Sequence, residues 1–251
     1  MRTLPWLILL ILLMLSSRTT ALWAAETHNP AGETDYSDLY SDYGDEQESA
    51  PLIADPIEPF NRGMFWFNDK LYFYFWKPVA RGYRTVVPEP ARVGVGNFFS
   101  NLWTPIRAVN ALLQFKVEDA ARELVRFTIN STIGFGGLLD PAGKHAGLPK
   151  KEEDFGQTLG RYGVGPGFYI VLPVLGPSDV RDGLGRIPDY YLDPLTYMLN
   201  TYEGWGARGV NTVNYLSLDK DTYEAIKRES LDPYITIRDA YIQRREALIK
   251  K

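Results

Sequence analysis

The chain has 251 residues, 45% of them hydrophobic, which is enough for one domain with its own core. It contains no cysteine, and this excludes a disulfide framework, a thiolate zinc site and a thiol nucleophile. Residues 26–55 hold nine acidic side chains and no lysine or arginine, whereas residues 56–251 carry a small positive excess. Proteins that bind nucleic acid carry many basic side chains clustered on one face, and this excess is much smaller. We therefore expect no nucleic-acid partner.

Residues 1–25 predict an export signal. Arg2 supplies the positive start, residues 4–15 form an apolar run, and the small residues Ala21, Ala24 and Ala25 follow. The apolar run is too short for an ordinary membrane span, which needs about 20 residues. We expect cleavage between Ala21 and Ala25, and an uncleaved N-terminal anchor is the alternative.

Residues 26–55 predict an acidic, disordered linker. The segment is rich in Asp, Glu, Ser and Gly, and it has almost no aliphatic side chain before Leu52. Such a composition cannot bury enough apolar surface to offset the entropy lost on ordering. The folded domain is therefore predicted to cover residues 56–251.

The domain opens with an exceptionally aromatic helix over residues 58–76. Asp55-Pro56 predicts its start, with Asp as N-cap and Pro at the first helical position, and Lys77-Pro78 predicts its end. A helix that is apolar nearly all round is either deeply buried or faces lipid, and we expect lipid contact. The residues predicted to sit in the membrane are Phe60, Met64, Phe65, Trp66, Phe67, Leu71, Phe73, Phe75 and Trp76.

Further helices are predicted over 90–101, 105–115, 117–130, 194–218, 221–230 and 233–251. In the third of these, Glu118, Arg122 and Arg126 lie on a polar side opposite Leu124 and Val125. Clusters of glycine between residues 134 and 185 predict loops, and only residues 168–172 are typical of an extended strand. The fold class is therefore mainly α: amphipathic helices with Gly-rich loops and a short hairpin, seated in a membrane leaflet.

Catalytic and metal-binding patterns are weak. The histidines are His28 and His145, and the sequence has no Gly-x-Ser-x-Gly elbow. Ser217-Leu218-Asp219-Lys220 matches the Ser-x-x-Lys spacing of penicillin-binding enzymes, but the partner motifs of those enzymes are missing. Two histidines without cysteine, and no calcium-binding loop, give a metal ion little to bind. We expect no enzyme activity, no metal and no cofactor.

Arginines and lysines near aromatic belts suit a protein at a lipid–water interface. Eight arginines of the domain are in such positions, although a structural ion pair is the commoner role for each of them: Arg62, Arg81, Arg84, Arg107, Arg126, Arg161, Arg181 and Arg186. The candidates for contact with a lipid head group or a pore are Arg62, Asn68, Arg126, Arg161 and Arg181.

A series of motifs follows in one order between residues 55 and 245. They include Asp55-Pro56-Ile57-Glu58-Pro59-Phe60-Asn61-Arg62, Phe67-Asn68, Pro78-Val79-Ala80, Asn97-Phe98, Asn130-Ser131-Thr132, Gly134-Phe135-Gly136-Gly137, Asp154-Phe155-Gly156-Gln157-Thr158-Leu159-Gly160, Gly176-Pro177-Ser178, Arg181-Asp182 and Asp232-Pro233-Tyr234. With these motifs the chain resembles the VacJ/MlaA family.

The resemblance implies a helical ring in the inner leaflet of a bacterial outer membrane, with an amphipathic pore through it. It also implies three partners: phospholipid, a trimeric outer-membrane porin and a periplasmic lipid-carrier protein. The implied function is to remove phospholipid from the outer leaflet and pass it to the carrier, which preserves lipid asymmetry. The alternatives are a soluble periplasmic lipid carrier, an envelope scaffold, and a hydrolase that uses His145 and Ser217.

The chain departs from the family in one respect, because the family usually carries a lipobox cysteine and this sequence has no cysteine. We therefore expect exported protein at the periplasmic face of the outer membrane, held there by the aromatic helix, a porin or an uncleaved signal. We also expect Gly163, Gly165 and Gly167 to act as a hinge for a loop beside the pore, since glycine leaves the backbone free to move.

Overall fold

The computed structural model describes residues 53–219 and 221–251. The predicted export signal, and all of the predicted linker up to residue 52, lie outside the described residues. In chain order the elements are α1 (Glu58–Leu71), a π-helical segment (Tyr72–Trp76), α2 (Lys77–Val86), α3 (Glu89–Leu102), α4 (Thr104–Leu113), α5 (Val117–Thr132), α6 (Pro141–Lys144), α7 (Phe155–Arg161), β1 (Tyr169–Leu172), β2 (Gly176–Asp179), α8 (Val180–Leu192), α9 (Leu195–Met198), α10 (Thr201–Leu218), α11 (Thr222–Glu229) and α12 (Pro233–Lys250). The prediction of a mainly α fold with one short hairpin is confirmed.

The first helix continues through the proline that was predicted to end it. The N–H of Lys77 donates to the carbonyl of Tyr72, five residues earlier, so the chain passes through a π-turn before α2 begins. Pro78 lies in the first turn of α2, where it has no need of the N–H group that it lacks. The predicted end at Lys77-Pro78 is therefore wrong, because the π-turn reorganises the hydrogen bonds around the proline.

Asp55 does not cap α1, contrary to the prediction. The helix begins at Glu58, and Ile57 occupies the N-cap position without a side-chain hydrogen bond. The Asp55 carboxylate instead accepts a hydrogen bond from Asn61 Nδ2 at 2.8 Å and another from the Tyr234 hydroxyl. It therefore connects the start of the domain to α12 and gains tertiary contacts that a local cap would not provide.

Helices α3, α4 and α5 lie close to the spans predicted for them, 90–101, 105–115 and 117–130. Helix α4 ends at Leu113, earlier than the predicted residue 115, and Phe115 has a φ of 60°. This left-handed conformation cannot continue a helix, and it turns the chain from α4 into α5.

The glycine-rich part of the chain is only partly loop. The predicted extended segment is confirmed as β1, which pairs antiparallel with β2 from Tyr169 opposite Asp179 to Leu172 opposite Gly176. Helices α7 and α8 were not predicted, and the assignment of this whole stretch to loops and a hairpin is wrong. Their N-caps are Asp154 and Asp179, whose carboxylates accept from the amides of Gln157 and Asp182.

Glycine in α7 and α8 serves close packing. A Cβ atom on Gly185 would lie 2.6 Å from the backbone nitrogen of Gly156, and one on Gly156 would lie 2.3 Å from Asp182 Oδ1. The two helices can therefore approach only where neither carries a side chain. Here glycine indicates backbone proximity rather than the loops that its frequency suggested.

The predicted helix 194–218 is two helices. Leu199 adopts an extended conformation, and Asn200 then starts α10 with a capping box in which its side chain and that of Glu203 bond each other's backbone. The last two helices agree with their predicted spans within one residue, and Asp232 caps α12 as its Asp-Pro sequence predicts.

The apolar core is small. Tyr169, Val171 and Tyr234 form it, where β1, α1 and α12 meet, and Met64 and Phe65 pack against it. The rings of Phe65 and Tyr234 meet edge to face at 5.7 Å. Within the described ranges, none of the helices is both long enough and apolar enough to cross a bilayer.

Candidate functional site

Helix α5 turns its polar side inward and its apolar side outward. Glu123 is fully buried and Arg126 nearly so, whereas Leu124 and Val125 are 53% and 48% exposed. Glu118 and Arg122 form the predicted i,i+4 ion pair, at 2.9 Å, on a more exposed part of the helix. A helix on a water-soluble domain has the opposite distribution, with its apolar stripe facing the core.

Large apolar side chains are exposed on neighbouring elements as well. Phe115, at the turn before α5, is 80% exposed, and Phe135, after α5, is 75% exposed. The other exposed members of this region are Leu112, Leu113, Val117, Phe127, Ile133, Leu138 and Leu139. We call this set, together with Phe115, Leu124, Val125 and Phe135, the apolar exterior. Large exposed apolar patches mark contact with a membrane or with another protein.

An ion pair is buried behind the apolar exterior. Arg107 Nε lies 2.7 Å from Glu123 Oε2, and the same guanidinium donates to the Ser100 carbonyl and the Thr104 hydroxyl. Glu123 Oε1 accepts from the amide of Lys151 at 2.8 Å. Burial lowers the pKa of Arg107 from its usual value, although Glu123 favours the charged form. The pair is well hydrogen-bonded, as a buried pair of charges must be to persist.

Asp140 extends this polar interior. It accepts from Asn130 Nδ2 at 2.8 Å and from the Gly143 amide at 3.1 Å, and it pairs with Arg126. Burial alone would raise the pKa of Asp140, but these hydrogen bonds and the arginine together lower it. The adjoining cavity measures about 20 Å³ and is also lined by Asn97 and Asn101. It has room for about one water molecule, so it is too small for an acyl chain.

The predicted membrane-seated helix exposes part of its aromatic set. Trp66 and Phe60 are 61% and 51% exposed, and Phe67 and Phe75 are also on the surface. Met64 and Phe65 face the apolar core instead. Leu71, Phe73 and Trp76 are partly buried. Four of the nine residues are therefore well placed to meet a membrane.

Two asparagines of α1 bind the hairpin as a further strand would. Asn61 Nδ2 donates to the Tyr169 carbonyl at 3.0 Å, and Asn61 Oδ1 accepts from the Val171 amide at 2.8 Å. Asn68 makes the same two kinds of bond, to the Leu172 carbonyl and from the Val174 amide. Asn68, a candidate head-group contact, is thus engaged in holding the hairpin.

Most of the candidate arginines already have anionic partners. Arg62 pairs with Glu58 and Asp232, and Arg181 pairs with Asp179 and Asp182. Arg126 pairs with Glu123 and Asp140 and donates to the Leu148 carbonyl. Arg161 is exposed, and among the described residues it has no ion-pair partner. A head-group role for the first three would require them to leave carboxylates.

The predicted hinge connects α7 to β1. Gly163 and Gly167 have φ values of +83° and +75°, which other residues rarely adopt. Among the described residues, no atom lies within 4 Å of the place that a Cβ of Gly165 would take, so a side chain would fit there. Arg181 holds the segment, because its backbone amide donates to the Pro166 carbonyl and its Nη1 donates to Val164.

A second polar cluster joins α12 to α7 and α8. Arg245 lies 2.6 Å from Asp154 Oδ2 and donates to Asp182 Oδ1 at 2.8 Å. Burial would raise the pKa of Asp154, but the bonds from Arg245 outweigh it and lower that pKa. Nearby Asp189 accepts from Asn110 and from the Phe155 amide, yet burial raises its pKa to about 6.

The residues of the hydrolase alternative do not form a catalytic pair. Ser217 donates to the Asn214 carbonyl at 2.7 Å and accepts from Arg92, and its described hydrogen bonds do not include His145. His145 is exposed at the end of α6. Lys220, the last residue of the Ser-x-x-Lys match, lies outside the described residues.

The sequence did not identify Glu123, Asp140 or the inward orientation of Arg107. A signal was present, because Glu123, Arg126 and Asn130 share one side of a helix whose other side carries Leu124 and Val125. That pattern defines two sides without saying which of them is buried.

A family model described as MlaA lipoprotein matches residues 53–248, nearly the whole of the described chain. The chain belongs to the MlaA lipoprotein family. One relative, the Escherichia coli intermembrane phospholipid transport system lipoprotein MlaA, is 39% identical over 198 residues, which cover 77% of each chain. A protein of Rickettsia felis is 38% identical over 218 residues, covering 85% of this chain and 86% of its own length.

A solved structure is similar in fold to this MlaA-family chain. It comes from work described as the structural basis for maintenance of bacterial outer membrane lipid asymmetry, and it is 39% identical with a TM-score of 0.70. The match covers 78% of this chain and 99% of the solved one. The motifs that suggested the family from the sequence therefore belong to a chain with the family's fold.

Proposed function

We propose that this protein maintains outer-membrane lipid asymmetry by taking phospholipid from the outer leaflet and delivering it toward the inner membrane. The observation that carries the proposal is the inverted α5, with apolar side chains outside and a buried ion pair behind them. That distribution suits a protein surrounded by acyl chains. The Escherichia coli relative, named for intermembrane phospholipid transport, supports the same function.

In the proposed arrangement the apolar exterior and the exposed aromatic residues of α1 lie in the inner leaflet of the outer membrane. A polar path through the domain carries the head group. Moving a lipid into water exposes its chains at roughly 0.8 kcal/mol per CH₂, so an enclosed amphipathic path lowers that barrier. Direction then comes from the acceptor, a periplasmic lipid-carrier protein, while a trimeric porin holds the protein in place.

The proposed location is the periplasmic face of the outer membrane, reached by export. The Escherichia coli relative is named a lipoprotein, whereas this sequence contains no cysteine to carry a lipid. We propose that the exposed aromatic and aliphatic surface, or a porin, supplies the attachment instead. Each buried CH₂ contributes about 0.8 kcal/mol, so a few inserted Phe and Leu side chains hold a protein as firmly as one acyl chain.

The deciding experiment measures phospholipid in the outer leaflet of cells that lack the gene. We expect a rise that is reversed when the gene is restored. Cell fractionation of the same strains separates the alternatives, because a soluble carrier would be found in the periplasm and washed from membranes by salt. Unchanged asymmetry in the deleted strain, with the protein shown to be exported in its parent, would rule the proposal out.

The glycine hinge is tested by Gly165→Val. The side chain has room, so the fold should remain stable while the β-branched residue restricts the backbone. We expect outer-leaflet phospholipid to change severalfold at an unchanged protein level. Gly165→Ala serves as the milder control and should fall between the wild type and Gly165→Val. If both variants retain normal asymmetry, the segment is not a hinge.

A further inference from the structure

Helix α2 presents three distinct groups of side chains. Ala80 is buried and the Tyr83 hydroxyl donates to Asn214 of α10 at 3.2 Å, which defines the side facing the body of the domain. Val79 and Val86 are 42% and 77% exposed. Arg81 and Arg84 are exposed too. Since successive helical residues are about 100° apart, the two valines share one side and the two arginines lie about 180° from them.

The two arginines have no anionic partner among the described residues, although carboxylates are close. Arg81, Arg84 and Asp219 line one small pocket, but Asp219 accepts hydrogen bonds from the amide and hydroxyl of Thr222. Asp221 and Glu224 pair with Lys77. The acidic groups of this region are therefore already engaged, and two guanidinium groups remain free to bind an anion.

We propose that α2 lies along the lipid–water interface, with Val79 and Val86 toward the acyl chains and Arg81 and Arg84 bound to the phosphates of lipid head groups. The arrangement is that of an interfacial amphipathic helix, with the protein body covering one lateral side. Arginine is suited to phosphate because its planar guanidinium presents paired donors. The proposal rests on the proposed function and adds a preference for anionic phospholipid.

The effect on binding follows from charge. A basic side chain near an anionic surface contributes about a fivefold gain in binding, so the pair contributes roughly 25-fold. The contribution should fall steeply as salt shortens the range of the attraction. It should also be absent on a surface of zwitterionic lipid.

The test measures how the full-length protein, purified in detergent, partitions into vesicles. One set contains phosphatidylcholine alone, and the other contains phosphatidylcholine with phosphatidylglycerol. We expect Arg81→Gln/Arg84→Gln to weaken binding to the anionic vesicles roughly 25-fold and to leave binding to phosphatidylcholine unchanged. Arg81→Lys/Arg84→Lys should retain most of the binding. Circular dichroism and thermal midpoints verify that each variant is folded.

The matched control removes two positive charges elsewhere. Arg186 is exposed without an ion-pair partner in the described chain, and Arg228 is highly exposed beside Glu229. Arg186→Gln/Arg228→Gln should keep nearly all of the anionic preference. An equal loss in this control would mean that net charge alone directs binding, and the assignment to α2 would be wrong.

The outcomes separate this inference from the proposed function. If the wild-type protein binds neither kind of vesicle, the proposed location in the membrane is itself contradicted. Wild-type protein that binds both vesicles equally well contradicts only the role of Arg81 and Arg84. If only the wild type binds inorganic phosphate in solution, while the wild type and Arg81→Gln/Arg84→Gln bind anionic vesicles equally well, the arginines would be assigned to a soluble anion and the proposal overturned.

Discussion

The hairpin region and helix α5 are built on opposite principles. Around β1, the aromatic and aliphatic side chains of Tyr169, Val171 and Tyr234 are buried together in an apolar cluster, beside the buried polar Asn61 and Ser178. Around α5, the buried side chains are Glu123 and Arg126, while leucine, valine and phenylalanine face outward. The two regions are thus stabilised in different ways. Burial of apolar side chains stabilises the hairpin region, whereas α5 encloses charged side chains that are paired and hydrogen-bonded.

The largest loss of stability is expected for Glu123→Ala. The variant leaves Arg107 buried without its partner, and we expect the free energy of unfolding in detergent to fall by about 3–5 kcal/mol. Glu118→Ala on the same helix is the control. Glu118 is 87% exposed in its pair with Arg122, so its removal should change stability by less than about 1 kcal/mol. Similar losses in denaturant titrations of the two variants would contradict a charged interior.

The same substitution at two valines compares the regions directly. Val171 is 1% exposed and Val125 is 48% exposed. We expect Val171→Ala to lower the free energy of unfolding by about 2 kcal/mol, because it removes buried methyl groups from the apolar core. Val125→Ala should change it by about 0.5 kcal/mol or less in detergent. Should Val125→Ala prove the more damaging of the two, α5 would have to be packed against protein rather than lipid.

The smallest expected effect is a pH dependence from Asp189. Burial raises its pKa to about 6, so the neutral form favours folding, and its contribution is lost as pH rises through about 6. Between pH 5 and pH 7 we expect the wild type to lose about 1 kcal/mol of stability that Asp189→Asn does not lose. Thermal unfolding of both proteins across this range is the measurement. Parallel curves would show that Asp189 titrates near its ordinary value.

Local signals predicted much of the fold. The Asp232-Pro233 start of α12 and the helical spans from α3 to α5 follow from caps and periodicity, and the aromatic opening motif indicated the family. The caps at Asp154 and Asp179 were also readable, but glycine composition outweighed them, and the capping box at Asn200 was included in one predicted helix over residues 194–218.

Other features depend on tertiary structure. The sequence around Pro78 does not show whether this proline ends the helix or is accommodated by a preceding π-turn. Periodicity likewise cannot decide which side of α5 faces inward, because that depends on what surrounds the finished molecule. Arg62 and Arg126 also bind carboxylates outside their own helices, Asp232 and Asp140, so their availability for lipid could be judged only in three dimensions.

The side-chain amides of Asn61 and Asn68 have a consequence for aggregation. A strand edge with unpaired N–H and C=O groups is a template for pairing with another chain, and proteins concentrated on a membrane surface meet one another often. Along α1, each asparagine provides a donor and an acceptor to β1 or the turn that follows it. The edge is thereby closed by two side chains instead of a third strand, and the hairpin cannot recruit a neighbour on that side.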